Sequence, residues 1–284
     1  MATILNGKEV AGKLKSRLIK EVTALKSSHK ITPCLAVILV GEDPASAVYV
    51  RRKREMCEQI GIKSELIIPP ASITQNELIA LINELNARAD VHGILCQLPL
   101  PRHINPKIIC ETITPSKDVD CFNPTNVGNL VLGENCFKPC TPAGIIDILD
   151  EYGIEIEGAN CVIIGRSDIV GKPVSMLMLH RSATVTICHS KTKNLPKVCQ
   201  NADILIAAVG VPHFVKADMV RPGAVVIDVG INRTENGLVG DVDFENVKDV
   251  AGAITPVPGG VGPMTIVKLM QNTIEAAKKS NNIK

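Results

Sequence analysis

The chain has 284 residues, of which 45% are hydrophobic and 21% charged, a composition typical of globular proteins with one large or two medium domains. Its 31 basic and 29 acidic residues leave a net charge of +2, which argues against a nucleic-acid binder that depends on phosphate contacts. Aromatic residues are scarce, with no Trp, two Tyr and four Phe, which argues against base-stacking surfaces.

The first half of the chain alternates apolar, strand-like runs with helical segments, the pattern of an α/β protein with a parallel sheet. Strands are predicted at 34–40, 64–70 and 91–101, and an amphipathic helix at 74–88. Another helix is predicted after the first strand, because Asp43 suits the N-cap, Pro44 the first turn and Gly61 the position just past the end. We expect these elements to build one α/β domain.

The alternation restarts in the second half, after a linking helix that Pro and Gly residues punctuate at 139–153. Residues 159–179 are predicted to form a strand, a glycine turn and a helix, and further strands are predicted at 183–190, 202–210 and 223–231. This repeat of the pattern predicts a second α/β domain.

We therefore predict two α/β domains with a cleft between them, residues 1–140 and residues 141–284. The second is expected to be a Rossmann-like, doubly wound parallel sheet. A last helix, at about 264–280, is expected to pack back on the first domain.

Cysteine and histidine usage bears on compartment and metal binding. The ten cysteines include no C-x-x-C pair, and several lie in or beside apolar runs, where cysteine acts as a small hydrophobe. Lys8 precedes any long apolar stretch, and no apolar run approaches the roughly 18 residues of a membrane span. We expect no signal peptide, no membrane span and a reduced, cytoplasmic location. The six histidines show no metal-ligand spacing, so we predict no metal.

The turn after residue 164 places Gly165, Ser167 and Gly171 between an apolar strand and a helix. It departs from G-x-G-x-x-G, and taken alone it is equally compatible with an ordinary strand-to-helix turn. The strand before it, the helix after it and the restarted alternation favour a dinucleotide site, in which helix N-terminal amides face the pyrophosphate.

The end of the next strand indicates which nucleotide binds. An NAD site usually carries an acid about 20 residues on, but no carboxylate occurs between Ala183 and Asn201, where Ser190 and Lys191 stand. Arg166, in the glycine turn, can reach the same place. A serine and an arginine suit a 2′-phosphate, which favours NADP; the alternative is that Arg166 and Lys191 are solvated surface cations.

Tyr49 and Lys53 lie four residues apart on the helix after Asp43. On a helical wheel the apolar stripe comprises Ala45, Tyr49, Met56 and Ile60, and Lys53 falls about 50° from its centre. An inward lysine is costly unless it is paired, lines a cleft, or extends its amine to water along the edge of the stripe. In a cleft Lys53 could act as a base and Tyr49 could offer its ring to a flat substrate; otherwise Tyr49 is an ordinary half-buried tyrosine.

Three further segments carry candidate residues. Gln97 ends a strand, where ligands collect in open α/β sheets. Asp118 and Asp120 lie in a loop, where most acids are solvated or cap turns. Residues 256–265 hold three glycines and three prolines, too specialised a composition for a plain connector.

Seven segments, in this order, resemble the bifunctional methylenetetrahydrofolate dehydrogenase/methenyltetrahydrofolate cyclohydrolase family over nearly the whole chain. They are VGEDPASAVYVRRKREMCEQIGI, GILCQLPLP, KDVD with NPTNVG, PCTPAG, GRSDIVGKP, CHSKT and PVPGGVGPMT. The resemblance implies NADP-dependent oxidation of methylenetetrahydrofolate and hydrolysis of the methenyl product to 10-formyltetrahydrofolate. It also implies a homodimer.

The resemblance assigns roles to residues of this sequence. Lys53 is expected to be the principal catalytic group of the hydrolysis, assisted by Gln97, with Tyr49 stacked on the aminobenzoate ring and Asp120 anchoring the pterin. The remaining substrate positions are Cys96, Leu98, Pro258, Gly259, Gly260, Val261 and Gly262. NADP is expected to contact Gly165, Arg166, Ser167, Ser190 and Ile231.

Departures and alternatives complete the sequence interpretation. After Asp120 the family commonly has glycine, and many bacterial members have histidine two residues beyond it; here Cys121 and Asn123 stand there, and cysteine adopts glycine torsions at a cost. A Tyr/Lys short-chain dehydrogenase is excluded because Tyr49 precedes the glycine turn. A shikimate-dehydrogenase-like oxidoreductase and a non-enzymatic folate- or nucleotide-binding protein stay as alternatives, although the latter has no need of Lys53.

Overall fold

The computed structural model describes residues 1–235 and 237–283, with the side chain of Ala45 left out. The strands are β1 (Thr3–Ile4), β2 (Cys34–Ile38), β3 (Lys63–Ile67), β4 (Gly93–Cys96), β5 (Asn160–Ile164), β6 (Thr184–Cys188), β7 (Ile204–Ala207), β8 (Val225–Asp228), β9 (Asn232–Thr234), β10 (Gly237–Val239) and β11 (Ala253–Ile254). The helices are α1 (Gly7–His29), α2 (Pro44–Ile60), α3 (Gln75–Ala87), α4 (Pro106–Thr112), α5 (Pro124–Leu132), α6 (Cys140–Glu151), α7 (Gly171–His180), α8 (Leu195–Cys199), α9 (Phe244–Val247) and α10 (Val261–Ser280), with a 3-10 turn at Ala217–Met219.

The chain divides into two compact units that are each discontinuous in sequence. The six-stranded unit comprises Met1–Gly12 and Pro139–Thr265, and the three-stranded unit comprises Lys13–Lys138 and Ile266–Lys284. The boundaries predicted from the sequence, 1–140 and 141–284, stay a prediction.

The six-stranded unit is built on one parallel sheet with the strand order β1-β11-β8-β7-β5-β6. Its central strands β5 and β7 are apolar and buried, as strands covered on both faces of the sheet require. The chain passes from β5 to β6 on one side and returns to β7 on the other. This reversal of direction is the topological switch point of a doubly wound fold, where ligands bind beyond the carboxyl ends of the strands. The Rossmann-like sheet predicted from the sequence is confirmed.

The three-stranded unit contains a parallel sheet of order β3-β2-β4. The central strand, β2, is buried at all five positions, which explains its unbroken run of apolar residues. Its side chains pack with Leu78, Ile82 and Leu85 of α3. Neighbouring parallel strands bring their carboxyl ends to one edge, so Gln97, directly after β4, lies at that edge.

Local chemistry sets the bounds of α2 as the sequence predicts. The Asp43 carboxylate accepts a hydrogen bond from the Ser46 amide at 2.7 Å, and Pro44 occupies the first turn. Gly61 ends the helix with φ at 91° and donates to the carbonyls of Cys57 and Glu58. This left-handed conformation favours glycine.

Two features of the amino-terminal segment were not predicted. One is α1, a helix of 23 residues. The other is β1, which pairs in parallel with β11 and adds an edge strand to the six-stranded sheet. None of the helices among the described residues combines the length and hydropathy that a membrane crossing requires.

Candidate active site

Lys53 lies at the centre of the buried face of α2. Among the residues of this helix whose burial the structure describes, the most buried are Ser46, Val50, Cys57 and Ile60, each at most 3% exposed. Together with Lys53 these residues are separated by four, three, four and three positions, which places all five on one face of the helix. The stripe predicted from the sequence is therefore displaced: Tyr49 and Met56 are half-buried on its flank, and the predicted member Ala45 lies outside the described side chains.

The amine of Lys53 is held by Gln97. Lys53 Nζ donates a hydrogen bond to Gln97 Oε1 at 3.0 Å. Gln97 Nε2 in turn donates to the Leu98 carbonyl at 2.7 Å, which fixes the orientation of the amide. Both side chains are half-buried. The structure thus brings together the two residues that the resemblance assigns to the hydrolytic step, and the lysine meets a neutral acceptor in place of a carboxylate.

The two loop aspartates occupy different environments. Asp118 is 2% exposed, and its carboxylate oxygens accept from the amides of Phe122 and Asn123 and from Asn126 Nδ2. Burial raises the pKa of the Asp118 carboxyl, although the hydrogen bonds act to lower it. Asp118 therefore organises the start of α5, whereas Asp120 is half-buried.

The Asp120 loop runs alongside β4. A parallel bridge joins Ile94 to Asp118, and the Ile94 amide donates to the Lys117 carbonyl at 2.9 Å. After Asp118 the loop turns, because the Cys121 amide donates to the Asp118 carbonyl at 3.1 Å. Asp120 lies within this turn, and its place in the substrate site stays a prediction.

The two departures from the family pattern have structural roles. Cys121 adopts the left-handed conformation, with φ at 62°, and its thiol donates to the Phe137 carbonyl at 2.9 Å. Asn123 caps α5 through the Thr125 amide and donates to the carbonyls of Glu111 and Ile113. The backbone at position 121 therefore has the torsions that glycine favours, and Cys121 adopts them.

The glycine turn of the six-stranded unit follows β5 at the switch point. A Cβ on Gly165 would overlap the Ala208 carbonyl oxygen, and one on Gly171 would overlap the carbonyl of Gly165. Ser167 Oγ accepts from the amides of Val170 and Gly171, both at 3.2 Å, where α7 begins. Close backbone approach and a helix N-terminus are what a pyrophosphate requires, so these residues fit a dinucleotide.

Arg166 and Ser190 follow neighbouring strand ends. Ile164 of β5 is in register with Cys188 of β6, and the Gly165 amide donates to the Cys188 carbonyl at 2.9 Å. Each candidate stands two residues beyond its strand and is exposed. A cation and a hydroxyl thus lie at the edge where a nucleotide ribose would sit.

The glycine-rich loop ahead of α10 lies close to Ile231. A Cβ on Gly262 would be 3.3 Å from Ile231 Cδ1, and Ile231 is 43% exposed. The amino-terminal segment holds the loop, because the Lys8 amide donates to the Gly259 carbonyl at 2.9 Å and a Cβ on Gly7 would overlap the Gly260 carbonyl. Within this unit, predicted substrate and cofactor positions are therefore neighbours.

Two buried carboxylates of the six-stranded unit, Asp228 and Asp241, were missed by sequence reasoning. Burial raises the pKa of Asp228 to about 6. An acid that directly ends the apolar run VVID was a readable signal for Asp228, whereas nothing local distinguishes Asp241. No group of three or more His, Cys, Asp or Glu side chains suited to a metal ion occurs in residues 1–235 and 237–283.

Comparison with known proteins agrees with this arrangement. Residues 5–120 match the catalytic domain of tetrahydrofolate dehydrogenase/cyclohydrolase, and residues 139–281 match its NAD(P)-binding domain. The bifunctional protein FolD of Acetivibrio thermocellus is 55% identical over 284 residues, which is 100% of this chain and 99% of the relative.

Solved structures give the same result. The bifunctional FolD of Campylobacter jejuni has a TM-score of 0.97 at 52% identity, covering 98% of this chain and 99% of that one. The Trypanosoma brucei FolD, solved with NADP and an inhibitor, has a TM-score of 0.94 at 37% identity, covering 99% and 98%. Shikimate dehydrogenase of Aquifex aeolicus, at 15% identity and a TM-score of 0.53, shares the fold alone. The chain belongs to the tetrahydrofolate dehydrogenase/cyclohydrolase family and is a bifunctional enzyme.

Proposed function

We propose that this enzyme oxidises 5,10-methylenetetrahydrofolate to the methenyl form with NADP and hydrolyses that product to 10-formyltetrahydrofolate, with Lys53 as the principal catalytic group of the second step. The observation that supports the role of Lys53 is its place at the centre of the buried face of α2, with Nζ held 3.0 Å from Gln97 Oε1. A non-enzymatic binder would have no use for a lysine kept there against its desolvation cost.

The oxidation depends on positioning. Hydride leaves a carbon whose positive charge two neighbouring nitrogens share, so neither an acid nor a base is needed at that carbon. NADP supplies the hydride acceptor when bound. Gly165 and Ser167 would meet its pyrophosphate, Arg166 and Ser190 its 2′-phosphate, and Ile231 would complete the contacts.

The hydrolysis requires proton management. Water adds to the cationic methenyl carbon, and a proton must leave the attacking oxygen as the new carbon–oxygen bond forms. The oxygen then loses its second proton and the bond from this carbon to N5 breaks while N5 takes a proton, so that the products are the N10-formyl compound and one released proton. Lys53 Nζ is the group proposed to take or pass that proton, while Gln97 fixes the direction of the amine. A neutral partner serves this purpose better than a carboxylate, which would hold the proton on the lysine.

The remaining substrate contacts are proposed on the resemblance and on local geometry. Tyr49, half-buried one turn before Lys53, would stack on the aminobenzoate ring, and Asp120 would anchor the pterin. Cys96, Leu98 and the loop from Pro258 to Gly262 would complete the folate contacts.

We further propose a cytoplasmic homodimer. None of the ten cysteines forms a disulfide in the part of the chain that the structure describes, which agrees with a reducing compartment. The six-stranded sheet ends at β6, whose Thr184, Thr186 and Ile187 are exposed. An unpaired edge strand with an exposed apolar side chain is suited to a second copy of the chain.

The test is a pair of assays on the purified protein and on Lys53→Met, with Arg54→Met as the matched control on the exposed face of α2. The wild type should form NADPH from methylenetetrahydrofolate and should hydrolyse the methenyl compound. Lys53→Met should lose hydrolysis by roughly 100-fold or more, and Arg54→Met should retain it. Wild-type hydrolysis by Lys53→Met would remove the lysine from the mechanism, and absence of NADPH formation by the wild type would remove the first activity.

A further inference from the structure

Two buried carboxylates lie near the carboxyl edge of the six-stranded sheet. Asp228 ends β8 and is 3% exposed, and Asp241 follows β10 and is 0% exposed. Neither carboxylate is among the residues assigned to chemistry or to nucleotide contact above. A buried carboxylate is kept in a fold only when hydrogen-bond donors surround it, so the donors indicate its role.

The donors to Asp241 come from two loops. Its Oδ2 accepts from the amides of Val209 at 2.6 Å and Gly210 at 2.9 Å. Its Oδ1 accepts from the Val211 amide at 3.0 Å and from Asn232 Nδ2 at 2.9 Å. The Asp241 side chain therefore accepts from three successive amides of the loop after β7. It also accepts from Asn232, which directly follows Ile231.

Asp228 fixes the backbone that carries Asp241. Its Oδ1 accepts from the amides of Gly230 and Asp241, at 2.9 and 2.8 Å, and its Oδ2 accepts from the Val242 amide at 2.9 Å. A Cβ on Gly240 would overlap the Asp228 carboxylate. The two acids thus act in series, because the first orients the main chain from which the second reaches the loop.

The loop that Asp241 holds borders the glycine turn. β5 and β7 are neighbours in the sheet, and a Cβ on Gly165 would overlap the carbonyl oxygen of Ala208, the residue just before the held amides. The loop after β7 and the turn after β5 therefore form the two sides of the switch point, where a dinucleotide binds in this fold.

We propose that Asp241 is a positioning residue for the nucleotide site: it fixes the loop of Val209–Val211 and, through Asn232, the segment bearing Ile231. It touches neither cofactor nor substrate in this proposal. The inference rests on the nucleotide site proposed above and adds a residue without which that site is not formed in advance of binding.

The Asp241→Asn variant separates this role from simple packing. Asparagine has nearly the same size, but its Nδ2 is a donor. In one orientation Nδ2 faces the amides of Val209 and Gly210, and in the other it faces the Val211 amide and Asn232. At least one loop amide is left opposite another donor in either case. Asp243→Asn is the matched control, because the Asp243 carboxylate bonds Lys216 and Asn246 at the surface.

The measurements are the Kd of NADP by calorimetry, the dehydrogenase KM for NADP and kcat, and the rate of methenyltetrahydrofolate hydrolysis without NADP. Asp241→Asn should weaken NADP binding and raise its KM by about tenfold or more, the loss of roughly one hydrogen bond to a charged group. The kcat at saturating NADP and the hydrolysis rate should change little. Asp243→Asn should behave as the wild type. If Asp241→Asn fails to fold, Asn232→Ala removes one of the four donors and should shift KM in the same direction.

Equal losses of both activities in Asp241→Asn, or an unchanged Kd in a folded variant, would overturn the proposal. If Asn232→Ala is the variant measured, an unchanged KM for NADP overturns it. A wild-type protein that does not bind NADP would instead overturn the nucleotide site proposed earlier, so the two failures are distinguishable.

Discussion

Gln97 orients Lys53 with one end of its amide while the other end is tied to the main chain. Oε1 accepts from Lys53 Nζ at 3.0 Å, and Nε2 donates to the Leu98 carbonyl at 2.7 Å. The lysine amine therefore has a defined direction and a neutral partner. Both properties matter for a group that must exchange a proton with substrate water.

Gln97→Glu tests whether neutrality matters. A carboxylate at this position would stabilise the protonated amine and would lose the donor to Leu98. We expect the hydrolysis rate at neutral pH to fall by roughly tenfold or more and its pH–rate profile to move to higher pH. Gln97→Met, which removes the partner without adding charge, is the control and should lower the rate without moving the profile. Identical profiles for both variants would contradict the role given to the amide.

Arg166→Ala tests the choice of nucleotide. Arg166 and Ser190 stand two residues beyond strand ends that are in register, so both can face one phosphate. Loss of a charge-assisted contact should raise the KM for NADP by roughly 10- to 100-fold and leave the KM for NAD nearly unchanged. Lys193→Ala, another exposed cation near the same strand end, is the control. An equal rise for both nucleotides would remove Arg166 from 2′-phosphate recognition.

Cys121→Gly and Cys121→Ala form a matched pair for backbone strain. Both variants lose the thiol and its bond to the Phe137 carbonyl, but only glycine adopts the φ of 62° without steric cost. The glycine variant should be more stable than the alanine variant by about 1 kcal/mol, measured as the difference in denaturant-induced unfolding. Equal stabilities would mean that the left-handed conformation carries no cost here.

The burial of His92 leads us to expect that the folded protein loses stability in acid. The residue is 6% exposed, and Nδ1 accepts from the Cys34 amide at 3.1 Å, which requires an unprotonated Nδ1. Burial, together with the positive charge of Lys117, lowers the pKa of His92 below its usual 6.5. The folded state therefore binds this proton less readily than the unfolded state. The stability contributed by His92 is present above about pH 6.5 and is lost as the pH falls through the lowered pKa.

His92→Asn removes the titration and keeps an acceptor near the position of Nδ1. Between about pH 7 and pH 5 its melting temperature should fall less than that of the wild type. His103→Asn, which alters an exposed histidine, should follow the wild type. Parallel curves for the wild type and His92→Asn would show that another group controls acid sensitivity.

The features that the sequence predicts well depend on local chemistry. Asp43, Pro44 and Gly61 set the ends of α2 through contacts within a few residues. The center of its buried face was misplaced because Ser46, a polar residue, is buried at 3% exposure and carries no weight in an apolar stripe. Lys53 was thereby assigned to the edge of the face and not to its centre.

What the sequence did not predict depends on distant partners. The side chain of Asp241 is explained by amides about 30 positions away, and β1 finds its partner in β11. The pattern of residue types within a short segment of the sequence does not indicate pairings between residues so far apart. Cys121 lies between these cases, since its departure from glycine is visible in the sequence but the torsion it adopts is not.

The pairing of β1 with β11 has a consequence for the order of events on the ribosome. Thr3 and Ile4 emerge about 250 residues before their partners Ala253 and Ile254. The three-stranded unit likewise includes a late segment of the chain, because Asn272 of α10 donates to the carbonyls of Val119 and Lys138. Neither unit has all of its contacts until β11 and α10 have been synthesised, so both units are still incomplete in a nascent chain that stops short of β11.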